Sequence, residues 1–314
     1  NMSLTGANSD KRVVLKPSDQ VFALLNLYNV LTDSNLPSKS TPVDAAVKEV
    51  AHNLKKSGSK GVVLTGLNDK NAQLVALEIN KVLSSEIIDT SNTLNIRQGN
   101  DAEVAQLISE MKSGKIAGLI SYNVDPVYSL PNSTEFIDGL NKLEISVALL
   151  LENNETTNLS NFSLPTPHYL ESWGDTQFDA SLYGLMQPTI QPLFNTRQIQ
   201  DVLLKWSGSS VSYYDYLKEF ASTNVLEGTS WNTALHNGFY KIESLKLSEA
   251  SVSKVVIADV ASQLFKSTKA SAFELNLYTS TGLGDGKQAN NPWLQEFPDP
   301  ITRASWDNYL TMSI

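Results

Sequence analysis

The sequence predicts an α/β protein built on a doubly wound, mostly parallel sheet. Short apolar runs such as residues 61–65 and 117–120 end abruptly in polar residues, as strands buried on both faces of a parallel sheet do. Amphipathic stretches of helical period lie between these runs, for example at residues 43–56. The connections are short, which is typical of strand–helix–strand units that place helices on both faces of a sheet.

The predicted helices have recognisable ends. Ser18 and Asp69 are residue types that cap a helix N-terminus, and Gly58 and Gly114 are typical of helix C-termini. In chain order the sequence predicts strand 12–15, helix 19–31, helix 43–56, strand 61–65, helix 69–83, strand 86–89, helix 101–111, strand 117–120, helix 133–140 and strand 145–151.

The regular alternation ends after Leu151. Residues 152–176 are rich in Asn, Thr, Ser and Pro and carry few periodic apolar residues. Farther on, the sequence predicts helices at 196–205, 213–222 and 230–238, strands at 255–258 and 273–278, and a loop at 281–300. Three domains are therefore expected, a Rossmann-like α/β domain over 1–195, a helical extension over 196–245 and a β-rich segment over 246–314.

Composition excludes several classes of function. The 314 residues carry a net charge of −9, which argues against nucleic acid and anionic membranes as partners. The chain contains no cysteine and only 3 histidines, none at metal-ligand spacing, so neither thiolate catalysis nor a metal site is expected. No apolar run approaches the ~20 residues that a membrane span needs, and the first residues do not resemble a signal peptide.

A strand-end loop is the natural place for a ligand. Asn123, Asp125 and Pro126 follow the apolar run 117–120, and open α/β sheets bind ligands outside the carboxyl ends of their strands. An Asn-x-Asp-Pro turn explains the same residues without a ligand. Near His168, a histidine, two carboxylates and a tryptophan lie within eight residues, which suits either acid–base chemistry or a self-bonded loop. The glycine-rich residues 282–286 precede no helix and are expected to be a flexible loop.

Several stretches together resemble the molybdopterin oxidoreductases. Residues 3–11 and 15–19 resemble their "T-x-x-A-D … R-P-G-T-D" region, and residues 121–128 resemble their "G-x-N-P" loop. Residues 168–175 are similar to the "E-x-W-G" segment, and residues 290–300 with 306–308 are similar to the motif that precedes a C-terminal barrel domain. The resemblance implies a molybdopterin oxidoreductase or formate dehydrogenase domain-like fold, with 246–314 as the start of a truncated barrel domain.

The last two stretches are most similar to the large iron–sulfur subunit of alternative complex III, a quinol:electron-acceptor oxidoreductase. That resemblance implies a respiratory complex on the periplasmic side of the bacterial inner membrane. The implied partners are the iron–sulfur domain of the same subunit, a cytochrome c and membrane subunits that bind quinol. Iron–sulfur clusters would belong to the separate domain, and the related subunits are thought to have lost the molybdopterin guanine dinucleotide.

Departures from the family pattern point to a site without its cofactor. The "R-P-G-T-D" loop has become residues 16–19 and has lost its glycine, which a backbone close to a ligand usually needs. In the "G-x-N-P" loop, Tyr122 replaces a small residue and Asp125 adds a carboxylate that would face phosphates. We therefore expect no catalytic residue, no metal ligand and only vestigial pterin-site positions, namely Pro17, Asp19, Asn123, Asp125, Pro126, Glu171, Trp173 and Gly174.

Three functions remain open at this point. The first is a non-catalytic scaffold domain without cofactor in such a complex. The second is an active molybdopterin-dependent fragment, in which Asn123, Asp125, Glu171 and Trp173 would converge on one large cleft. The third is an unrelated α/β protein that binds a small ligand.

Overall fold

The computed structural model describes residues 2–89, 92, 94, 96, 99–243 and 255–312. The chain divides into two units, which are described separately below. Unit 1 combines Asn1–Thr90 with Ser248–Ile314, and unit 2 is the continuous segment Ser91–Leu247. The predicted domain boundaries at residues 195 and 245 stay predictions.

Within the described residues, the α-helices are α1 (Leu4–Ala7), α2 (Pro17–Thr32), α3 (Asp44–Ser57), α4 (Lys70–Val82), α5 (Asp101–Lys112), α6 (Pro126–Ser129), α7 (Ser133–Leu140), α8 (Glu155–Leu159), α9 (Ile199–Trp206), α10 (Tyr213–Asn224), α11 (Trp231–Asn237), α12 (Ile257–Ser267) and α13 (Pro292–Glu296). The strands are β1 (Gly118–Tyr122), β2 (Ile145–Leu150), β3 (Phe162–Pro165), β4 (Gly174–Asp179), β5 (Leu182–Met186) and β6 (Phe239–Lys241).

Unit 1 is built from helices that share one apolar core. Buried side chains of α2, α3, α4 and α12 contribute to it, among them Leu25, Val75, Ile79 and Leu264. Asp69 fixes the start of α4 by accepting hydrogen bonds from the backbone amides of the helix's first turn. Each helix therefore buries one apolar stripe against the others and leaves its polar side in water.

The predicted strands of unit 1 do not form a sheet. Residues 12–15, 61–65 and 86–89 are not assigned as strands in the structure, so these three predictions are wrong. At residues 61–65 the physical reason is visible. The Asn80 side chain accepts from the Val63 amide and donates to the Val63 carbonyl, both at 2.7 Å, where a neighbouring strand would otherwise pair.

Unit 2 contains a three-stranded parallel sheet, in which β1 and β2 are predicted strands and β3 is not. Its strand order is β1-β2-β3, and both neighbouring pairs are parallel. The sheet places Val147 opposite Ile120 on one side and opposite Phe162 on the other. Helix α7 connects β1 to β2 and α8 connects β2 to β3, which confirms the α/β fold class.

A second sheet in unit 2 is antiparallel, with the order β4-β5-β6. Helices α10 and α11 contribute to the core that includes Tyr183 of this sheet, Leu217 and Trp231. The structure confirms the three predicted helices in this part of the chain as α9, α10 and α11. It also shows β3 to β6, which lie in short stretches for which no strand was predicted.

The predicted β-rich C-terminal segment is not seen. Residues 246–254, 313 and 314 lie outside the described residues, and the described residues 255–312 contain no strand. Helix α12 replaces the predicted strand 255–258 because Val260, Ala261 and Leu264 are buried at helical spacing. Residues 273–278 have no strand partner in the part of the chain that the structure describes, and α13 lies inside the predicted loop 281–300. The start of a barrel domain is therefore not supported within this segment.

Among the residues that the structure describes, no helix is both long and apolar enough to cross a membrane.

Candidate functional site

The carboxyl ends of the three parallel strands define one edge of the sheet in unit 2. The loop after β1 carries Asn123 and Asp125, and the loop after β3 leads to His168 and Glu171. Because β2 separates β1 from β3, these two loops start about 9.6 Å apart. This edge is where an open α/β sheet binds its ligand, and we call it the carboxyl edge.

Asn123 turns the chain at the end of β1. It adopts a left-handed backbone conformation with a φ angle of 54°, which asparagine tolerates better than most residues. Its amide donates to the Leu149 carbonyl at 3.0 Å and so continues the ladder to β2. The residue before it, Tyr122, is exposed. Asn123 thus ends the strand and directs the chain into the loop.

The Asp125 carboxylate accepts hydrogen bonds from its own loop and from α8. One oxygen accepts from the Thr156 hydroxyl, from the Thr156 amide at 3.2 Å and from the Tyr128 amide at 3.3 Å. The first two bonds tie the loop after β1 to α8, and the third caps α6, in which Pro126 is the first residue. These contacts favour the turn interpretation of the Asn-x-Asp-Pro sequence over a ligand-binding one.

Glu171 bonds to its own turn and to the connection after β5. One carboxylate oxygen accepts from the His168 amide at 3.1 Å, and the other accepts from the Leu193 amide at 3.2 Å. The His168 ring accepts from the Leu170 amide through Nδ1 at 3.3 Å. The histidine and the glutamate therefore cap a single 3₁₀ turn, Tyr169–Glu171, as the self-bonded interpretation of this stretch expects.

Trp173 lies in an aromatic cluster. Its ring centroid is 4.6 Å from that of Tyr214 and 6.3 Å from that of Trp231, and its amide donates to Gln198 Oε1. Two buried donors near it, Gln198 Nε2 and Trp231 Nε1, have no acceptor among the described residues.

The next residue, Gly174, is buried, and a Cβ there would lie 2.7 Å from Met186 Cε. Tight packing against β5 explains this glycine.

Asp175 accepts hydrogen bonds from two tyrosines, an arrangement that sequence reasoning missed. Tyr183 donates to one carboxylate oxygen at 2.6 Å and Tyr213 donates to the other at 3.1 Å. Burial, and next the hydrogen bond to Asp175, raise the pKa of Tyr183. Burial and then the Asp175 charge raise the pKa of Tyr213. Because Tyr213 lies 38 residues from Asp175, no local sequence signal could have found the pair.

Pro17 and Asp19 lie in unit 1, in the first turn of α2. The N-terminus of this helix already binds an anion from the chain itself, because Glu274 accepts from the Ser18 amide at 2.8 Å and from the Ser18 hydroxyl at 2.7 Å. The hydrogen bond from the Ser18 amide is the main cause that lowers the pKa of Glu274. Asp19 adds a second favourable negative charge in this turn.

The charges of the carboxyl edge do not fit an anionic dinucleotide cofactor. Residues 122–130, 151–157 and 166–174, which form its loops, contain 4 carboxylates and no Lys or Arg. Phosphates are usually bound by Arg, Lys or the N-terminus of a substantial helix, and α6 and α8 have only 4 and 5 residues. The donors near Trp173 are neutral side chains, and among the described residues no acidic or histidine cluster could hold a metal ion.

The structure therefore brings Asn123, Asp125, Pro126 and Glu171 to the loops of one sheet edge. It places Trp173 and Gly174 in the packing between the antiparallel sheet and its helices. Two cavities of about 530 and 250 Å³ lie elsewhere, against α2 and α3 of unit 1.

Comparison with known proteins gives a match to a subunit of a respiratory enzyme. No protein-family model matches the sequence. A menaquinone reductase, molybdopterin-binding-like subunit from Nitratidesulfovibrio vulgaris is 28% identical over 145 residues, which are 41% of this chain and 21% of the relative. The matched region thus spans about a fifth of the relative's length. This similarity supports a molybdopterin-oxidoreductase-like relationship.

Proposed function

We propose that this chain is a non-catalytic, molybdopterin-oxidoreductase-like domain that acts as a scaffold in a respiratory quinol:electron-acceptor oxidoreductase. The observation that supports this most directly is the charge of the carboxyl edge, with 4 carboxylates and no Lys or Arg in its loops. A phosphate-bearing cofactor at that edge would meet repulsion without a compensating cation.

The contacts of the acidic side chains support the same proposal. Asp125 and Glu171 accept hydrogen bonds from backbone amides, both of their own loops and of neighbouring segments, and Glu274 caps α2. A carboxylate that holds a loop together is not free to act on a substrate without loss of that loop's stability. In this proposal, Asp125 and Glu171 are retained because their hydrogen bonds stabilise the loops, and not because they bind a cofactor.

The proposed complex rests on the similarity to a menaquinone reductase subunit and on the sequence resemblance. We propose an assembly of the alternative complex III type on the periplasmic side of the bacterial inner membrane. The domain would contact the iron–sulfur domain of the same subunit, a cytochrome c and membrane subunits that bind quinol. The name of the relative, a menaquinone reductase subunit, agrees with a quinone-linked respiratory role.

Metal and pterin analysis of the purified protein tests the proposal. The chain is produced in a bacterial host that makes the molybdopterin cofactor, beside a known molybdoenzyme as the positive control. We expect less than about one-tenth of an equivalent of molybdenum, and no pterin fluorescence after oxidative extraction. Molybdenum and pterin at one equivalent per chain would overturn the proposal and favour the active-enzyme alternative.

Substitution of Asp125 gives a second, independent test. Because its carboxylate accepts from two amides and a hydroxyl, Asp125→Ala should lower the free energy of unfolding by about 2 kcal/mol. Asp138→Ala is the matched control, since Asp138 is exposed on α7 and should change stability by less than about 0.5 kcal/mol. Urea unfolding measures both. A more stable Asp125→Ala protein would show that the carboxylate is kept for binding and not for structure.

A further inference from the structure

The extended segment 61–67 in unit 1 has one bonded edge and one open edge. On the bonded edge, Asn80 pairs with both backbone groups of Val63, and Gln73 Nε2 donates to the carbonyls of Thr65 and Leu67. Among the described residues, these hydrogen bonds involve odd-numbered positions of the segment. Alternate residues of a β-strand point their backbone groups to opposite edges, so the pairing at Val63 is that of a strand with a side-chain amide. At Thr65 and Leu67 one nitrogen reaches both carbonyls and the Leu67 amide donates to Thr65 Oγ1, so the chain is less extended there.

The even-numbered residues form the open edge. Within the described part of the chain, the backbone groups of Val62, Leu64 and Gly66 make no hydrogen bond. Val62 and Leu64 are two residues apart, or about 6.6 Å along a strand. Leu64 is 78% exposed and Gly66 is exposed as well, so solvent surrounds this part of the segment. An edge of this kind is a template for another strand.

An apolar groove lies beside this segment. We call it the strand groove, a cavity of about 250 Å³ lined by Val13, Leu15, Leu24, Val47, Val63 and Thr65, among others. Its floor is formed by α2 and α3, and none of the described residues that line it is charged. Val13 and Leu15 also line the groove, and their backbone groups likewise make no hydrogen bond among the described residues.

Positively charged side chains lie near the strand groove in the sequence. Arg12 and Lys16 flank the segment 13–15, and Lys60 precedes Gly61, and all three cations are exposed. Lys16 lies near the Glu274 carboxylate, so Arg12 and Lys60 contribute most to this basic rim in a protein with a net charge of −9. It complements acidic residues at the ends of an apolar strand.

We propose that the strand groove binds one extended segment of a partner polypeptide by β-strand addition. The main chain of that segment bonds to the open edge of residues 62, 64 and 66. Its alternate apolar side chains face α2 and α3, and acidic residues at its ends meet the basic rim. The alternating partial charges of the open edge are complementary to a peptide main chain, and the neutral apolar floor selects the side chains.

A synthetic peptide tests this proposal on the complete 314-residue chain. The probe is the acetylated, amidated peptide Glu-Thr-Val-Thr-Val-Thr-Val-Glu. In the free protein the amides of Val62, Leu64 and Gly66 should exchange with deuterium rapidly. Saturation with the peptide should slow their exchange roughly tenfold or more, while Val63 changes little because Asn80 already bonds it.

Two control peptides separate strand addition from simple apolar contact. One is N-methylated at every valine and the other at every threonine, so each lacks the amide donors along one edge. One of the two should lose binding, and the identity of that peptide gives the direction of the added strand. Equal binding of both methylated peptides and the parent would overturn the proposal.

A matched pair of variants tests the location. Val13 and Leu77 are 46% and 47% exposed, but only Val13 lines the strand groove. Val13→Glu should weaken peptide binding about tenfold because it places a charge in the apolar lining, and Leu77→Glu should leave it unchanged. An equal effect of both variants, or no binding of the peptide, would reject a partner strand. Dimers of the free protein in which residues 62, 64 and 66 are already protected from exchange would reject it as well.

Discussion

Acidic side chains that resemble site residues in the sequence act as caps and loop anchors in the structure. Asp125 joins the loop after β1 to α8, and Glu171 closes a 3₁₀ turn. Each carboxylate accepts hydrogen bonds from groups of its own chain, and these bonds hold together the segments that it joins. The type of residue at a motif position therefore does not determine its role, and the contacts of its atoms do.

The tyrosine pair on Asp175 should make the protein sensitive to alkali. Burial and the Asp175 charge raise the pKa of Tyr183 and Tyr213 above the ordinary value near 10. Above pH 10 the unfolded chain loses phenolic protons that the folded chain retains, so stability should fall as the pH rises. Below pH 10 this contribution is fully present. Unfolding in urea at several pH values measures the slope.

The Tyr183→Phe variant tests whether Tyr183 contributes to this pH dependence of stability. It removes one phenol that titrates only on unfolding, so the loss of stability above pH 10 should be shallower than in the unsubstituted protein. Tyr169→Phe is the control, since Tyr169 is 60% exposed and its substitution should leave the slope unchanged. Identical slopes for Tyr183→Phe and the unsubstituted protein would show that Tyr183 ionises freely in the folded state.

Among secondary-structure elements, those with clear hydrophobic periodicity were predictable from the sequence. Strands β1 and β2 were predicted from continuous apolar runs, and α3, α4 and α10 from helical spacing. Strand β4 was missed because its sequence, Gly-Asp-Thr-Gln-Phe-Asp, has neither a continuous apolar run nor strict alternation. Its pairing depends on β5, and sequence propensity does not specify that partner.

The opposite error occurred at residues 61–65, where the apolar run is strong and the strand is absent. A strand assignment requires a neighbouring strand, and here the neighbour is the Asn80 side chain. At the carboxyl edge, the sequence located the strand-end loop of Asn123 and Asp125 correctly. It could not reveal that Thr156, 31 residues away, donates to Asp125, because this contact depends on tertiary packing.

Asn80 should be more important for stability than its polar character suggests. It is 5% exposed, and Asn80→Leu would leave the amide and the carbonyl of half-buried Val63 without partners. We expect a loss of about 2 kcal/mol in the free energy of unfolding and faster amide exchange at Val63. Gln73→Ala is the control, since water replaces its exposed bonds and the loss should stay below about 0.5 kcal/mol. Equal losses would contradict this role.

For the molecule as a whole, the two units differ in how the chain builds them. Unit 2 is one continuous segment, whereas unit 1 needs residues from both sides of unit 2 in the sequence. Helix α12 is the part of the later segment that enters the core of unit 1, through Val260, Ala261 and Leu264. Folding of unit 1 therefore requires contacts between residues far apart in sequence, which slows folding.

Truncation of the chain after unit 2 should unfold unit 1 and leave unit 2 folded. A chain of residues 1–247 lacks Ala261 and Leu264, which are 0% and 1% exposed, and so uncovers the Val75 and Ile79 side of α4. The lost burial amounts to about 5 kcal/mol, comparable with the total stability of a small domain. We expect exchange protection to vanish in unit 1 and to persist in β1, β2 and α10 of unit 2. A chain of residues 1–268 retains α12 and should keep both units protected. Protection of Ile79 in the shorter chain would show that unit 1 folds without α12.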